Sequence, residues 1–161
     1  YDGLTKEKEW GHQLVHTLFT DGKNEFPLRG DIYLREVDAD KEHQFKTTRE
    51  IGMEHIDFAI KNNIPFWLVM ADAGLYADFF LRKIKSLHKK YIIGIRITNK
   101  ISIDKGKRIS VENYLNTLSD LDFSTHLYED GIYHLHVKKI YTRGVGKEKI
   151  LISYKEGDED W

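Results

Sequence analysis

Ile64-Pro65-Phe66-Trp67-Leu68-Val69-Met70-Ala71-Asp72-Ala73-Gly74-Leu75-Tyr76 is an apolar run without alternation that ends abruptly in Asp, a small residue and Gly. Such a run reads as a strand buried on both faces, and it is too short for a soluble helix that must also show a polar face. Asp72 then sits at the carboxyl end of the strand, where open α/β sheets place their ligands. A bare carboxylate is costly to bury, so at that mouth it needs a cation, hydrogen bonds or solvent. Two roles fit: a cap for a helix beginning near Ala77, or a metal ligand, with Gly74 allowing close approach.

The chain around this stretch has 161 residues, enough for one domain, or a domain with an insertion, and a sizeable core. Cysteine is absent, which excludes a disulfide framework and a thiolate metal site. A net charge of −1 argues neither for nor against nucleic acid. No apolar stretch approaches the roughly 18 residues of a membrane span, and no secretory signal is visible. The chain opens at Tyr1 and closes on Asp158-Glu159-Asp160-Trp161, so both ends read as cut from something longer.

Working outward, Thr47 and Glu50 form a capping box, and Met53, Ile56, Ala59 and Ile60 follow at helical spacing. Asn62-Asn63 before Ile64-Pro65 ends that helix and feeds the central run. Beyond Asp72, Phe80, Ile84 and Leu87 make a second stripe on a helix ending near Lys90. Tyr91 to Ile97 is another buried strand, so strand, helix and strand form a parallel crossover. Upstream, Trp10 to Phe19 and Phe26 to Leu34 flank Asp21-Gly22 as an antiparallel hairpin, with Pro27 near a strand start. His12 and His16 share a strand face, a spacing more common in polar strand residues than in metal sites. Glu36 to Gln44 is a charged loop.

Positive charge is concentrated from Leu81 to Ser110, where Arg82, Lys83, Lys85, Lys89, Lys90, Arg96, Lys100, Lys105, Lys107 and Arg108 face only Asp104. Such a segment in a near-neutral chain is a candidate phosphate-facing surface, weighed against a merely solvated helix face and loop. After Thr98 the pattern turns to β. Phe123 to Glu129 and Ile132 to Tyr141 flank Asp130-Gly131, a hairpin signal, and Ile150 to Tyr154 supplies a third strand. A turn at Asp130-Gly131 pairs Leu127 with His134, which puts His134 and His136 on one face and His126 on the other. That parity argues against a zinc cluster. Gly144-Val145-Gly146-Lys147 is a scrap of a phosphate loop without its full spacing or helix, and reads as a hairpin turn.

Hairpin, helix, strand ending in Asp, helix, strand and β-rich segment is an order similar to the RNase H-like catalytic core of bacterial insertion-sequence transposases of the DDE type. The resemblance is carried by Trp10-Gly11-His12-Gln13-Leu14-Val15, Phe26-Pro27-Leu28, Val69-Met70-Ala71-Asp72-Ala73-Gly74-Leu75-Tyr76, Phe80-Leu81 and Tyr91-Ile92-Ile93-Gly94-Ile95-Arg96. It implies an α/β fold, an incomplete RNase H-like mixed sheet with flanking helices over residues 1–98, followed by a β-rich insertion over 99–161. It implies that Asp72 is the second catalytic aspartate, a ligand to Mg²⁺ (or Mn²⁺) in the complete enzyme. In such chemistry three carboxylates hold two divalent ions about 4 Å apart. Asp2 lies too near the start to be the first acid within a strand. Glu156, Asp158, Glu159 and Asp160 lie in a polar tail where the third acid would need a helix. The resemblance further implies transposon-end and target DNA as partners, a homodimeric parent enzyme, and a cytoplasmic, nucleoid-associated setting without a membrane. DNA contacts are expected from Arg82, Lys83, Lys85, Lys89, Lys90, Lys105, Lys107 and Arg108. Two other readings compete: a non-catalytic DNA-binding or scaffold relic of a transposase, and a different RNase H-like metal-dependent nuclease.

Overall fold

The computed structural model describes residues 13–39, 44–104 and 106–157. Over these the fold is mixed α/β, with three α-helices and 44% strand. The chain divides into two compact units, Tyr1–Gly94 and Ile95–Trp161, and each is described by itself.

In the first unit, β1 (Gln13–Thr20) and β2 (Glu25–Tyr33) form an antiparallel hairpin. Its loop is closed by Asp21, whose carboxylate accepts from the Lys23 and Asn24 amides at 2.8 Å each. Register slips between Thr17 and Leu18, so that Leu18 faces Pro27, the position that has no amide to offer. Trp10, Gly11 and His12 lie outside the described residues, and His16 is exposed opposite Gly30.

Helix α1 (Thr48–Lys61) begins with the expected capping box, the Glu50 carboxylate accepting from the Thr47 amide at 2.8 Å. It ends where Asn63 adopts φ 55° and Ile64 donates back to the Ala59 carbonyl at 2.9 Å, a Schellman closure. Its buried stripe is Ile51, Gly52, His55, Ile56 and Ala59. Ile60, expected inside, is 40% exposed, because the face that packs is turned toward Ile51 and His55.

Strand β3 (Leu68–Ala71) is shorter than the apolar run that announces it. It pairs in parallel with β4 (Lys90–Ile93), from Leu68 opposite Lys90 to Ala71 opposite Ile93. Between them runs α2 (Asp78–Ser86), which ends before Lys90 because His88 turns left-handed at φ 54° and Lys89 donates to the Ile84 carbonyl. Phe80, Ile84 and Ile56 form the core here, joined by Val69, Ala71, Leu75, Tyr91 and Ile93. The expectation that β3 and β4 are buried on both faces is not met. Met70 and Ile92, cross-strand neighbours on the outer face, are 69% and 60% exposed. The helices cover only one side of the pair.

The second unit is one five-stranded sheet. β5 (Lys100–Asp104) and β6 (Lys107–Ser110) form a hairpin, and Ser110 caps the short α3 (Val111–Leu115), its hydroxyl accepting from the Asn113 amide. β7 (Ser124–Tyr128), β8 (Gly131–Thr142) and β9 (Gly146–Lys155) follow. β8 is the axis: β9 pairs along it, while β7 and β5 also pair with it. Ile101, Val111, Tyr114, Ile140 and Ile150 make the core. The Asp130-Gly131 turn is displaced by one residue from expectation. Tyr128 pairs with Gly131, so Glu129-Asp130 make the turn and His126 faces Tyr133. Gly131 suits the strand start because its φ of 147° is one that L side chains rarely adopt. Gly144 and Gly146, at φ 69° and 101°, shape the β8–β9 loop, as the hairpin reading expects.

Candidate functional site

Asp72 follows directly on the carboxyl end of β3 and is exposed. Its Oδ1 accepts from the Gly74 amide at 3.0 Å, capping a single 3-10 turn over Ala73–Leu75 rather than α2, whose own N-cap is Ala77. The carboxylate is thus oriented by its own turn, and the tight approach at Gly74 is that of Asp72 itself, Oδ1 lying 3.1 Å from where a Cβ would be.

Two glycines hold this turn in place. Gly94, just after β4, donates to the Ala71 carbonyl at 3.0 Å, and a Cβ there would fall 2.8 Å from the Ala73 nitrogen. Only glycine lets the end of β4 run this close behind Asp72. Gly52 sits inside α1, where glycine costs about 1 kcal/mol relative to alanine. A Cβ there would meet Leu75 at 3.1 Å and Phe80 at 3.3 Å, so the missing side chain makes room for the turn after Asp72. Sequence reasoning missed both. The available signal was an isolated glycine inside each periodic segment.

Among the described residues no group of three His, Asp or Glu side chains is placed to hold a metal ion. Mg²⁺ keeps its waters unless several oxygens replace them, so Asp72 alone does not fit such a centre. Asp2, Asp158, Glu159 and Asp160 lie outside the described residues, and Glu156 is in the turn after β9, its amide donating to the Ile132 carbonyl.

The candidate DNA-binding residues are spread over both units. Arg82 and Lys85 are exposed on α2, and Lys83 pairs with Asp57 of α1. Lys89 lies 4.8 Å over the Phe66 ring and Lys90 5.6 Å over the Trp67 ring, cation–π contacts that spend part of their charge locally. Lys107 and Arg108 are exposed on β6, and Lys105 lies outside the described residues.

A polar network that the sequence reading missed clips α1 to the hairpin. His55 is 1% exposed, with Nδ1 at 2.7 Å from the Thr17 hydroxyl and Nε2 at 2.7 Å from Asp31 Oδ2. Arg29 Nε donates to the same carboxylate oxygen at 2.6 Å, and this bond holds the Asp31 carboxyl below its ordinary range. A buried imidazole needs both ring nitrogens satisfied, and here one strand supplies each partner. The network is the attachment of the hairpin to the helix.

No family model, curated relative or solved structure matches the chain. Among the described residues no helix is long and apolar enough to cross a membrane.

Proposed function

We propose that the chain is a segment of an RNase H-like DDE transposase core, part of an enzyme that cleaves and transfers DNA strands at transposon ends. The observation that carries this reading is Asp72 itself: an exposed carboxylate at the carboxyl end of a strand in a parallel pair, held by its own turn. The element order of the first unit, hairpin, helix, strand, helix and parallel strand, supports it. So does the outer face of these strands. Leu14, Ile32, Met70 and Ile92 are each more than half exposed there, an apolar surface of the kind a further element covers in a complete core.

In this reading the divalent-ion centre, with Mg²⁺ or Mn²⁺, belongs to the complete homodimeric enzyme, and the other acids come from beyond the described residues. Within this chain Asp72 is one ligand, Gly94 and Gly52 set its place, and Arg82, Lys107 and Arg108 are exposed where phosphate could meet them. The nucleoid is the matching location.

Calorimetric Mg²⁺ titration, a DNA nicking assay and light scattering on the purified chain test this reading. The expected result is Mg²⁺ binding no tighter than about millimolar, no nicking, and self-association on concentration, because one carboxylate cannot replace enough of the ion's waters. Metal-dependent nicking that disappears with Asp72→Asn in this chain would place the missing ligands within it, Glu156 and Glu159 first. The flanking gene sequence decides further: a strand with Asp upstream and a helix with Glu downstream support the transposase.

A further inference from the structure

Side chains alternate across the β8–β9 ribbon, and its two faces differ in chemistry. One face carries His136, Ile140, Ile150 and Ile152 toward α3 and the core. The other presents five cross-strand rows: Tyr133 with Lys155, Leu135 with Ser153, Val137 with Leu151, Lys139 with Lys149, and Tyr141 with Lys147. No acidic residue occupies any of these ten positions. Beyond Tyr141 the face continues through Ser102 of β5 to Arg108 of β6.

We propose that this face binds single-stranded nucleic acid, its lysines on the phosphates and its tyrosine and apolar rows against the bases. The inference does not rest on the reading of Asp72.

The Lys139–Lys149 row carries the argument. Like charges directly opposite on a sheet destabilise it, and a fold retains such a pair at a cost. Among the described residues no ion pair engages either lysine. Lysines on an edge strand such as β9 can serve only to discourage strand-to-strand association. Lys139 lies between the stretch of β8 that pairs with β7 and the point where it meets β5, so among the described residues its paired neighbour is Lys149 of β9, and the repulsion across that row is what argues for an anion. An anionic polymer removes the repulsion. The Tyr133 end of the ribbon is already neutralised, since Asp130 accepts from the Tyr133 hydroxyl at 2.7 Å and lies 3.5 Å from Lys155 Nζ. The open charge is therefore at the other end, on Lys139, Lys149 and Arg108, with Lys147 lying 6.0 Å over the Tyr141 ring.

The apolar rows select a single strand over a duplex. Val137 and Leu151 are 55% and 59% exposed and Tyr141 is 37% exposed, a surface that a phosphate backbone alone does not use. Unpaired bases offer π-faces that stack on tyrosine whatever their sequence. Five rows at two residues per row span roughly 27 Å, room for about four nucleotides, the low end of site sizes on small β-folds.

Fluorescence anisotropy on the whole chain with labelled dT12, rU12 and a 12-base-pair duplex tests this. The expected result is salt-sensitive binding of the single strands, with a slope near −2 for about three phosphate contacts, and weaker binding of the duplex. The two single strands show whether the sugar matters. Lys139→Glu with Lys149→Glu should weaken binding about tenfold and flatten the slope. Tyr141→Ala should weaken it about fivefold with the slope kept. All three sites are exposed, so circular dichroism should report unchanged folding. An unaltered affinity in the double lysine variant overturns the proposal. So does a duplex bound as tightly as dT12, or capture by phosphatidylserine vesicles without binding of either oligonucleotide.

Discussion

In the first unit four strands form two separate pairs, both backed by α1, and among the described residues no ladder joins them. In the second, five strands join one sheet around β8. In the second unit β5–β6, β7–β8 and β8–β9 are sequence neighbours that pair locally, while β5 also reaches across to the distant β8. The first unit's pairs are linked through a helix, with β3 and β4 parallel across α2. Their outer faces differ accordingly. The first leaves Leu14, Ile32, Met70 and Ile92 bare, and the second carries lysine among its exposed apolar residues. The first unit is held by its helices rather than by continuous strand pairing, and it is where substitutions of single buried groups should tell most.

Phe80→Ala should show the largest effect. The ring is 1% exposed and touches α1, β3 and β4 partners, so its loss should cost about 3–5 kcal/mol by denaturant titration. A cost under about 1 kcal/mol would mean that the helices do not hold this unit together.

His55→Ala comes next, at about 2–4 kcal/mol, because it leaves the Thr17 hydroxyl and the Asp31 carboxylate without their shared partner. Amide exchange should speed most in β1 and β2. Uniform loss across both units would break the idea that this imidazole is a local clip.

Gly94→Ala is expected to cost about 1–3 kcal/mol, since its Cβ must push the Ala73 backbone away. The shift should appear at the Asp72 and Gly74 amide resonances. Thr47→Ala should cost about 1 kcal/mol through loss of the α1 cap.

The smallest effect is on pH dependence. Arg29 lowers the folded pKa of Asp31, so its contribution to stability is complete above the ordinary value of 3.8 and drains as pH falls toward the lowered one. Asp31→Asn should flatten that acid limb of the stability curve and leave the neutral region with the same slope.

Much of this was legible in the residues themselves. The Thr47–Glu50 box, the left-handed Asn63, the parallel pair around α2 and the placement of Asp72 at a strand end follow from local chemistry that acts within a few residues. The long-range facts were hidden. Nothing local says that Ile60 faces out while His55 is buried, because the packing face is chosen by β1 and β2. The bare outer face of Met70 and Ile92 was equally hidden, since an apolar run does not reveal how many layers cover it. Gly52 and Gly94 mattered through atoms in distant segments. The hairpin β5–β6 and α3 were blurred into a general β signal by their shortness.

The central claim is that Asp72 belongs to a catalytic centre that the complete protein assembles. End cleavage by the complete protein, wild type against Asp72→Asn, tests it with thermal unfolding measured alongside. The account predicts that Asp72→Asn abolishes Mg²⁺-dependent cleavage while DNA binding and melting temperature stay nearly unchanged, since an asparagine amide still caps the 3-10 turn. Cleavage at near wild-type rate by that variant would contradict it and leave Asp72 as a cap alone.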